Sequence, residues 1–226
     1  ADKADHTVIV AGSVGPTGEL LIPLGALSYE DAVAAFKEQV EGLKAGGADI
    51  AWIETMSSPD EIRAAAEGAA AGGLPYVFTG SFDTAGKTMM GLAPKDIFDV
   101  IPGDGGQPIA LGANCGVGAP DILSSLLDMS EAKPDAKLIV KGNCGIPEFQ
   151  GENIVYSGTP ELMADYVDLA IDAGATIIGG CCGTMPEHLS SMRNALENRP
   201  RGERPSLEQI VDAVGAFTSD SDGTED

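Results

Sequence analysis

Ala175–Leu196 reads ATIIGGCCGTMPEHLSSMRNAL, and the order of its parts decides the fold. A continuous apolar, β-branched run (ATIIGG) gives way to a short loop of glycine and cysteine, and then Pro186 opens a helical pattern. Proline at a first helical position costs nothing, because the N–H it lacks has no intrahelical acceptor there and its fixed φ suits the turn. A run too apolar to alternate predicts a strand buried on both faces, as parallel strands are, and with the helix behind it the segment is one βα unit.

The same pattern recurs through the chain. Five further apolar runs stand at Thr7–Gly12 (TVIVAG), Asp49–Glu54 (DIAWIE), Pro75–Gly80 (PYVFTG), Pro108–Ala113 (PIALGA) and Ala136–Lys141 (AKLIVK). Helical patterns fill the gaps at Tyr29–Ala45, Pro59–Ala71, Pro94–Val100, Pro120–Met129, Pro160–Ala173 and Pro186–Leu196, with a last one over Pro205–Phe217. Acidic residues follow the proline in most first turns, which suits the positive end of the helix dipole. Six βα units fit either an open doubly wound sheet or most of an eight-stranded barrel. The dinucleotide fingerprint of the first is absent, since Gly116-Val117-Gly118 is followed by no third glycine in the required place. A complete barrel takes roughly 250 residues, and this chain would be two strands short of it.

Composition narrows the function class. With 226 residues, 43% of them hydrophobic, the chain can bury one core without disulfide or metal staples. Its net charge of −22 and scattered Lys and Arg disfavour a nucleic-acid partner, which would need a clustered basic face. No apolar run approaches the ~20 residues of a membrane span, and Ala1–Asp5 lacks the apolar centre of a signal peptide, so the expectation is a soluble, cytoplasmic protein with no membrane partner. Residues 1–218 read as one domain and Ser219–Asp226 (SDSDGTED) as an acidic, disordered tail.

The chemistry-bearing residues are four cysteines, Cys115, Cys144, Cys181 and Cys182, each just past the end of a predicted strand. In a parallel barrel those ends converge on the active site. Adjacent Cα atoms stand ~3.8 Å apart, against ~4.4–6.8 Å across a disulfide, so Cys181-Cys182 is read as two free thiols in a reducing compartment. With glycines on both sides the pair can turn both sulfurs toward one cation, and Cys115 would make a soft three-sulfur site that selects zinc and leaves its fourth position open. The alternative reading, cysteines as small buried hydrophobes, stays open on spacing alone, because no C-x-x-C pair decides it. His6 lies at the frayed start, and His188 reads as a cap or packing residue.

The runs IIGGCCGT (Ile177–Thr184) and GANC (Gly112–Cys115) together resemble the homocysteine S-methyltransferase family, nearest to its bacterial betaine–homocysteine type. The likeness extends to GSVGPT (Gly12–Thr17), DIAWIET (Asp49–Thr55), GSFDTAGKTMMG (Gly80–Gly91) and NCGIP (Asn143–Pro147). It implies an α/β fold of the (β/α)8 TIM-barrel type, of which this chain supplies about six βα units. It implies a zinc ion held by Cys115, Cys181 and Cys182, and methyl transfer from an onium donor, betaine foremost, to the thiolate of homocysteine, giving methionine. Other donors, a thetin, a sulfonium or methylcobalamin, and an inactive zinc-binding fragment are the alternatives.

Further roles follow from the likeness. Glu54 would bind the homocysteine ammonium, or else cap the next helix; Asn114 would orient the amino acid or its own loop; Asp83 would line the site or serve an Asx turn. Cys144 is read as a non-ligand, Trp52 as core, and Met89, Met90 and Met185 as donor-pocket or gap-filling residues. The first third of the family barrel has no counterpart in the sequence, which predicts the C-terminal part of a longer protein, completed by an N-terminal fragment or a second chain, with a homo-oligomer as a further expectation.

Overall fold

The computed structural model describes residues 4–101, 106–145, 147–151, 153–197 and 199–218; the expected acidic tail at 219–226 lies outside them. The backbone gathers into two compact units, one of residues 1–80 with 98–111 and one of residues 81–97 with 112–226.

The first unit runs β1 (Ala11–Val14), α1 (Tyr29–Ala45), β2 (Ile50–Met56), α2 (Pro59–Gly72) and β3 (Tyr76–Gly80). Its strand order is β1-β2-β3, all parallel. Ser28 and Ser58 start the two helices, each accepting the N–H three residues on, from Asp31 and Glu61. The helices meet through small residues: a Cβ on Gly68 would fall 2.6 Å from Phe36 Cβ, and one on Gly72 would fall 2.7 Å from Val40 Cγ1. Close approach of backbone is thus what makes the alanine-rich face of α2 a core surface, with Ala64, Ala65 and Ala69 fully buried.

The second unit contains β4 (Leu111–Cys115), α3 (Ala119–Ala132), β5 (Leu138–Gly142), a hairpin of β6 (Pro147–Gln150) and β7 (Asn153–Tyr156), α4 (Pro160–Ala173), β8 (Ala175–Gly180), α5 (Pro186–Leu196) and α6 (Leu207–Val214). Its main strands lie in the order β4-β5-β8, with β5 and β8 parallel and Lys141 opposite Gly179. The segment after α5 returns over earlier helices. Arg199 grips Asp172 with two N–H···O bonds of 2.9 Å, and Arg204 donates to Leu127 O and Ser130 Oγ at 2.8 Å each. Arg204 thereby brings a cation to the last turn of α3, which has no basic residue of its own.

All six predicted strands exist: Ala175–Gly180 keeps its expected bounds, and the other five start one to four residues later than expected. The first expected run, Thr7–Gly12, forms strand only from Ala11, and Val8, Ile9 and Val10 are exposed. Burial on both faces holds for β3, every residue of which is buried, and not for β1, which alternates, or β8, which has no buried residue. Among the described residues β1 pairs with β2 and β8 with β5, one neighbour each, so one edge of each carries no strand partner. The pattern at Pro94–Val100 is a 3-10 turn, Pro94–Asp99, too short for an α-helix. The last helix begins at Leu207, where Ser206 caps it with Gln209 in a reciprocal box. The β6–β7 hairpin has no counterpart in the sequence expectation. Among the described residues no helix is long and apolar enough to cross a membrane.

Candidate metal centre

Cys115 closes β4, and Cys181 and Cys182 follow β8 directly. The ends of these strands bring the three sulfurs within 4.8 Å of one another, with Cys115 Sγ and Cys182 Sγ 3.9 Å apart. Ligand atoms around tetrahedral zinc at about 2.3 Å stand about 3.8 Å apart, so the spacing fits a shared soft metal ion. All three cysteines are half-buried, whereas Cys144 is fully buried. Cys144 is outside the sulfur cluster found among the described residues.

The loops are held by peptide groups. Cys181 N donates to Gly142 O (2.7 Å) and Cys144 N donates to Cys182 O (2.8 Å). Asn143, 2% exposed, ties two ligand loops together: its Nδ2 donates to Gly116 O (2.9 Å) and its Oδ1 accepts from Cys182 N (3.1 Å). Beneath, the buried Tyr166 hydroxyl accepts the Gly142 N–H at 3.0 Å. Cys115 itself is left-handed at φ 62, a conformation that costs a non-glycine residue on the order of 1–3 kcal/mol.

Hydrogen bonding sets the state of the sulfurs. Cys181 is pushed down to about 5, first by the hydrogen bond from Cys115, then by Asn114 and the ammonium of Lys141. Cys115 is pushed up by that same bond to Cys181 and by burial. The two shifts run in opposite directions, as for neighbouring thiols that share a hydrogen bond. A soft cation entering the cluster would displace the thiol protons and gain anionic sulfur ligands.

The other candidates fall out as follows. Asn114 is 1% exposed and directs Nδ2 to Cys181 Sγ at 3.8 Å. A small pocket beside it is lined by Phe82, Asn114, Cys115, Val117, Asp121 and Ile122, among others. Asp83 accepts from Ser81 Oγ (3.1 Å) and Thr84 Oγ1 (3.2 Å) in its turn. In the first unit Glu54 is half-buried and accepts from Ser13 Oγ at 2.6 Å. Ser58, not Glu54, caps α2, and Thr55 stands at φ 64, an outlier for a β-branched residue that bends the chain just after the carboxylate.

His188 is the helix cap expected of it, its Nδ1 accepting from Met185 N at 2.9 Å. Trp52 is half-buried rather than core; Met89, Met90 and Met185 are exposed. The sequence reading missed Asn143, Tyr166 and Tyr156. Tyr156 ends β7 and lies over Gly183, where a Cβ would fall 2.3 Å from the ring Cγ. The NIVY run that ends in it, set off by Gly151, is a strand signal the sequence offers.

The family model described as homocysteine S-methyltransferase matches residues 1–196. Three solved structures of the homocysteine methyltransferase MmuM from Escherichia coli also match. The apo form has 28% identity and a TM-score of 0.66, covering 84% of this chain and 63% of that one. The metallated form has 28% identity and a TM-score of 0.66, with coverages of 83% and 61%. The oxidised form has 29% identity and a TM-score of 0.63, with the same coverages as the metallated form. The chain therefore spans about three fifths of those enzymes.

Proposed function

The chain belongs to the homocysteine S-methyltransferase family, with the α/β fold of the (β/α)8-barrel type that the family implies, and on that premise we propose that it methylates homocysteine to methionine. The donor we propose is an onium compound, betaine first, and the cofactor is zinc held by Cys115, Cys181 and Cys182. The observation that carries this is the sulfur cluster, three thiols from two strand ends within 4.8 Å. Zinc bound there would leave one tetrahedral position for the substrate thiol and lower its pKa from the ~8.5 of a free thiol, so that a thiolate exists at neutral pH.

The residues of the chain supply the rest. Glu54, steadied by Ser13, binds the homocysteine ammonium, while Asn114 and Asp83 orient the amino acid and its loop. In the transfer the thiolate's electron pair forms the S–C bond while the bond from the methyl carbon to the onium nitrogen or sulfur breaks, its electron pair staying on that nitrogen or sulfur. The leaving atom departs uncharged, so no proton has to be delivered to it. That agrees with a site built on sulfur and carboxylate, whose nearby His188 has its Nδ1 engaged as a cap.

The free thiols at the site support the reading of a reducing compartment, and the proposed location is the cytoplasm. Exposed Val8, Ile9, Leu20, Ile22 and Leu24 in the first unit favour further βα units packing there, contributed by an N-terminal segment or a second chain. The test is methionine formation by the zinc-loaded chain, alone and joined to those units, from betaine, a thetin, a sulfonium or methylcobalamin. Betaine-dependent product is expected. Full zinc occupancy with no product from any donor in either form would overturn the reading. X-ray absorption should show three sulfurs on zinc, rising to four with homocysteine.

A further inference from the structure

Gly142 links helix α4 to the sulfur cluster. Its carbonyl accepts the Cys181 N–H at 2.7 Å, and its own N–H donates to the Tyr166 hydroxyl at 3.0 Å. Tyr166 is fully buried, on the face of α4 that also buries Met163, Val167 and Ala170. A Cβ on Gly142 would fall 3.1 Å from the ring Cζ and 3.4 Å from the hydroxyl oxygen, so the glycine lets the phenol come up against the peptide. The next residue, Asn143, accepts the Cys182 N–H on its Oδ1 at 3.1 Å. Both adjacent cysteines are therefore held by their N–H groups on Gly142-Asn143, and the phenol fixes the start of that dipeptide. Phenylalanine would fill the same place in the core without the cost of burying a hydroxyl. What tyrosine adds is an acceptor fixed at the peptide that carries the cysteines.

We propose that Tyr166 is a positioning residue: through Gly142 it holds the Cys181 peptide, and with it the sulfur, where a three-sulfur metal site needs it. This rests on the metal reading of the cluster given above. Ligand distances in such a site are held to about 0.2 Å, so a strand end free to shift would spoil the spacing of sulfurs that come from two different strands.

The test is Tyr166→Phe in the full chain, read in two ways. Without metal, hydrogen exchange at the Gly142 and Cys181 amides should quicken about tenfold beyond any change at the amides of β3, the worth of one partner lost from a buried hydrogen bond. With cobalt(II) as the probe, affinity should fall roughly 10–100-fold, as for other residues that orient ligands, and the sulfur-to-cobalt charge-transfer band should weaken. 3-Fluorotyrosine introduced at position 166 keeps the hydroxyl and weakens it as an acceptor; it should give the same pattern at smaller amplitude, and it decides the matter if the phenylalanine variant does not fold. Equal quickening at every amide, none at Cys181, or cobalt bound by the variants as tightly and with the same spectrum as by the parent would each overturn the proposal. Neither readout needs a methyl donor, so this outcome is independent of whether the chain makes methionine.

Discussion

The strand ends of the two units are built by different chemistry. In the first, carboxylates are fixed directly by hydroxyls: Ser13 donates to Glu54, and Thr17 donates both N–H (2.8 Å) and Oγ1–H (2.7 Å) to the buried Glu61. In the second, sulfur offers only a weak acceptor, so Cys181 and Cys182 are placed through their own peptide groups and through the Asn143 amide. The carboxylates are aimed by hydroxyl neighbours at 2.6 and 2.7 Å; the thiols are aimed chiefly by their backbone, with Asn114 adding one long N–H···S contact of 3.8 Å to Cys181. Glycines around the second site are the consequence, since only a bare backbone lets loops from separate strands come this close.

The sharpest way to break this contrast is Cys181→Ser, which keeps the backbone and changes the ligand atom. Zinc affinity should fall by more than ~100-fold, beyond the 10–100-fold cost of disturbing a supporting residue, with methyl transfer lost alongside; elemental analysis and a chelator competition read it. Next is a matched pair of glycine substitutions. Gly183→Ala drives a Cβ into Tyr156 at a left-handed position and should lower zinc affinity roughly 10–100-fold. Gly68→Ala drives one into Phe36 and the Lys37 backbone; it should cost about 1–3 kcal/mol of stability as overpacking, seen as a lower denaturation midpoint with zinc affinity retained.

Smaller still is Glu61→Gln, which keeps an acceptor for Thr17 and removes the charge. A loss of about 1 kcal/mol in chemical denaturation is expected, the difference between charged and neutral hydrogen bonds. The mildest effect is on acidification. Arg199 holds the Asp172 carboxyl below the usual range, so its contribution is full above the unfolded value of ~3.9 and fades as pH falls through the folded one. Asp172→Asn should flatten the acid limb of the stability profile, measured by thermal melts across pH.

Much of this is legible in the sequence. Six apolar runs and proline-opened helices mark the βα units because burial on both faces and the first helical turn each restrict residue choice. The three clustered cysteines were readable since each follows a strand, though Cys144 does too, and only its burial and the backbone bond to Cys182 separate it from them. The β6–β7 hairpin was missed because its strands have four residues each and carry Glu148, Gln150 and Asn153, which read as loop. Asn143 and Tyr156 were missed as site residues for another reason: their partners lie on loops 27 or more positions away, and no local pattern encodes a contact across loops. The start of β1 was misplaced because β-branched residues at Thr7–Val10 promise strand, whereas on their uncovered side there is little for them to pack against.

Cys115 carries the trade between stability and use in a single residue. A backbone at φ 62 next to Gly116 at φ 73 would sit more easily with asparagine or glycine than with cysteine. Selection for folding alone would drift this position away from cysteine, and only the value of its sulfur keeps it. Cys115→Asn should accordingly give a metal-free protein at least as hard to unfold as the parent and unable to hold zinc with three sulfurs, a gain in durability bought by the loss of the chemistry.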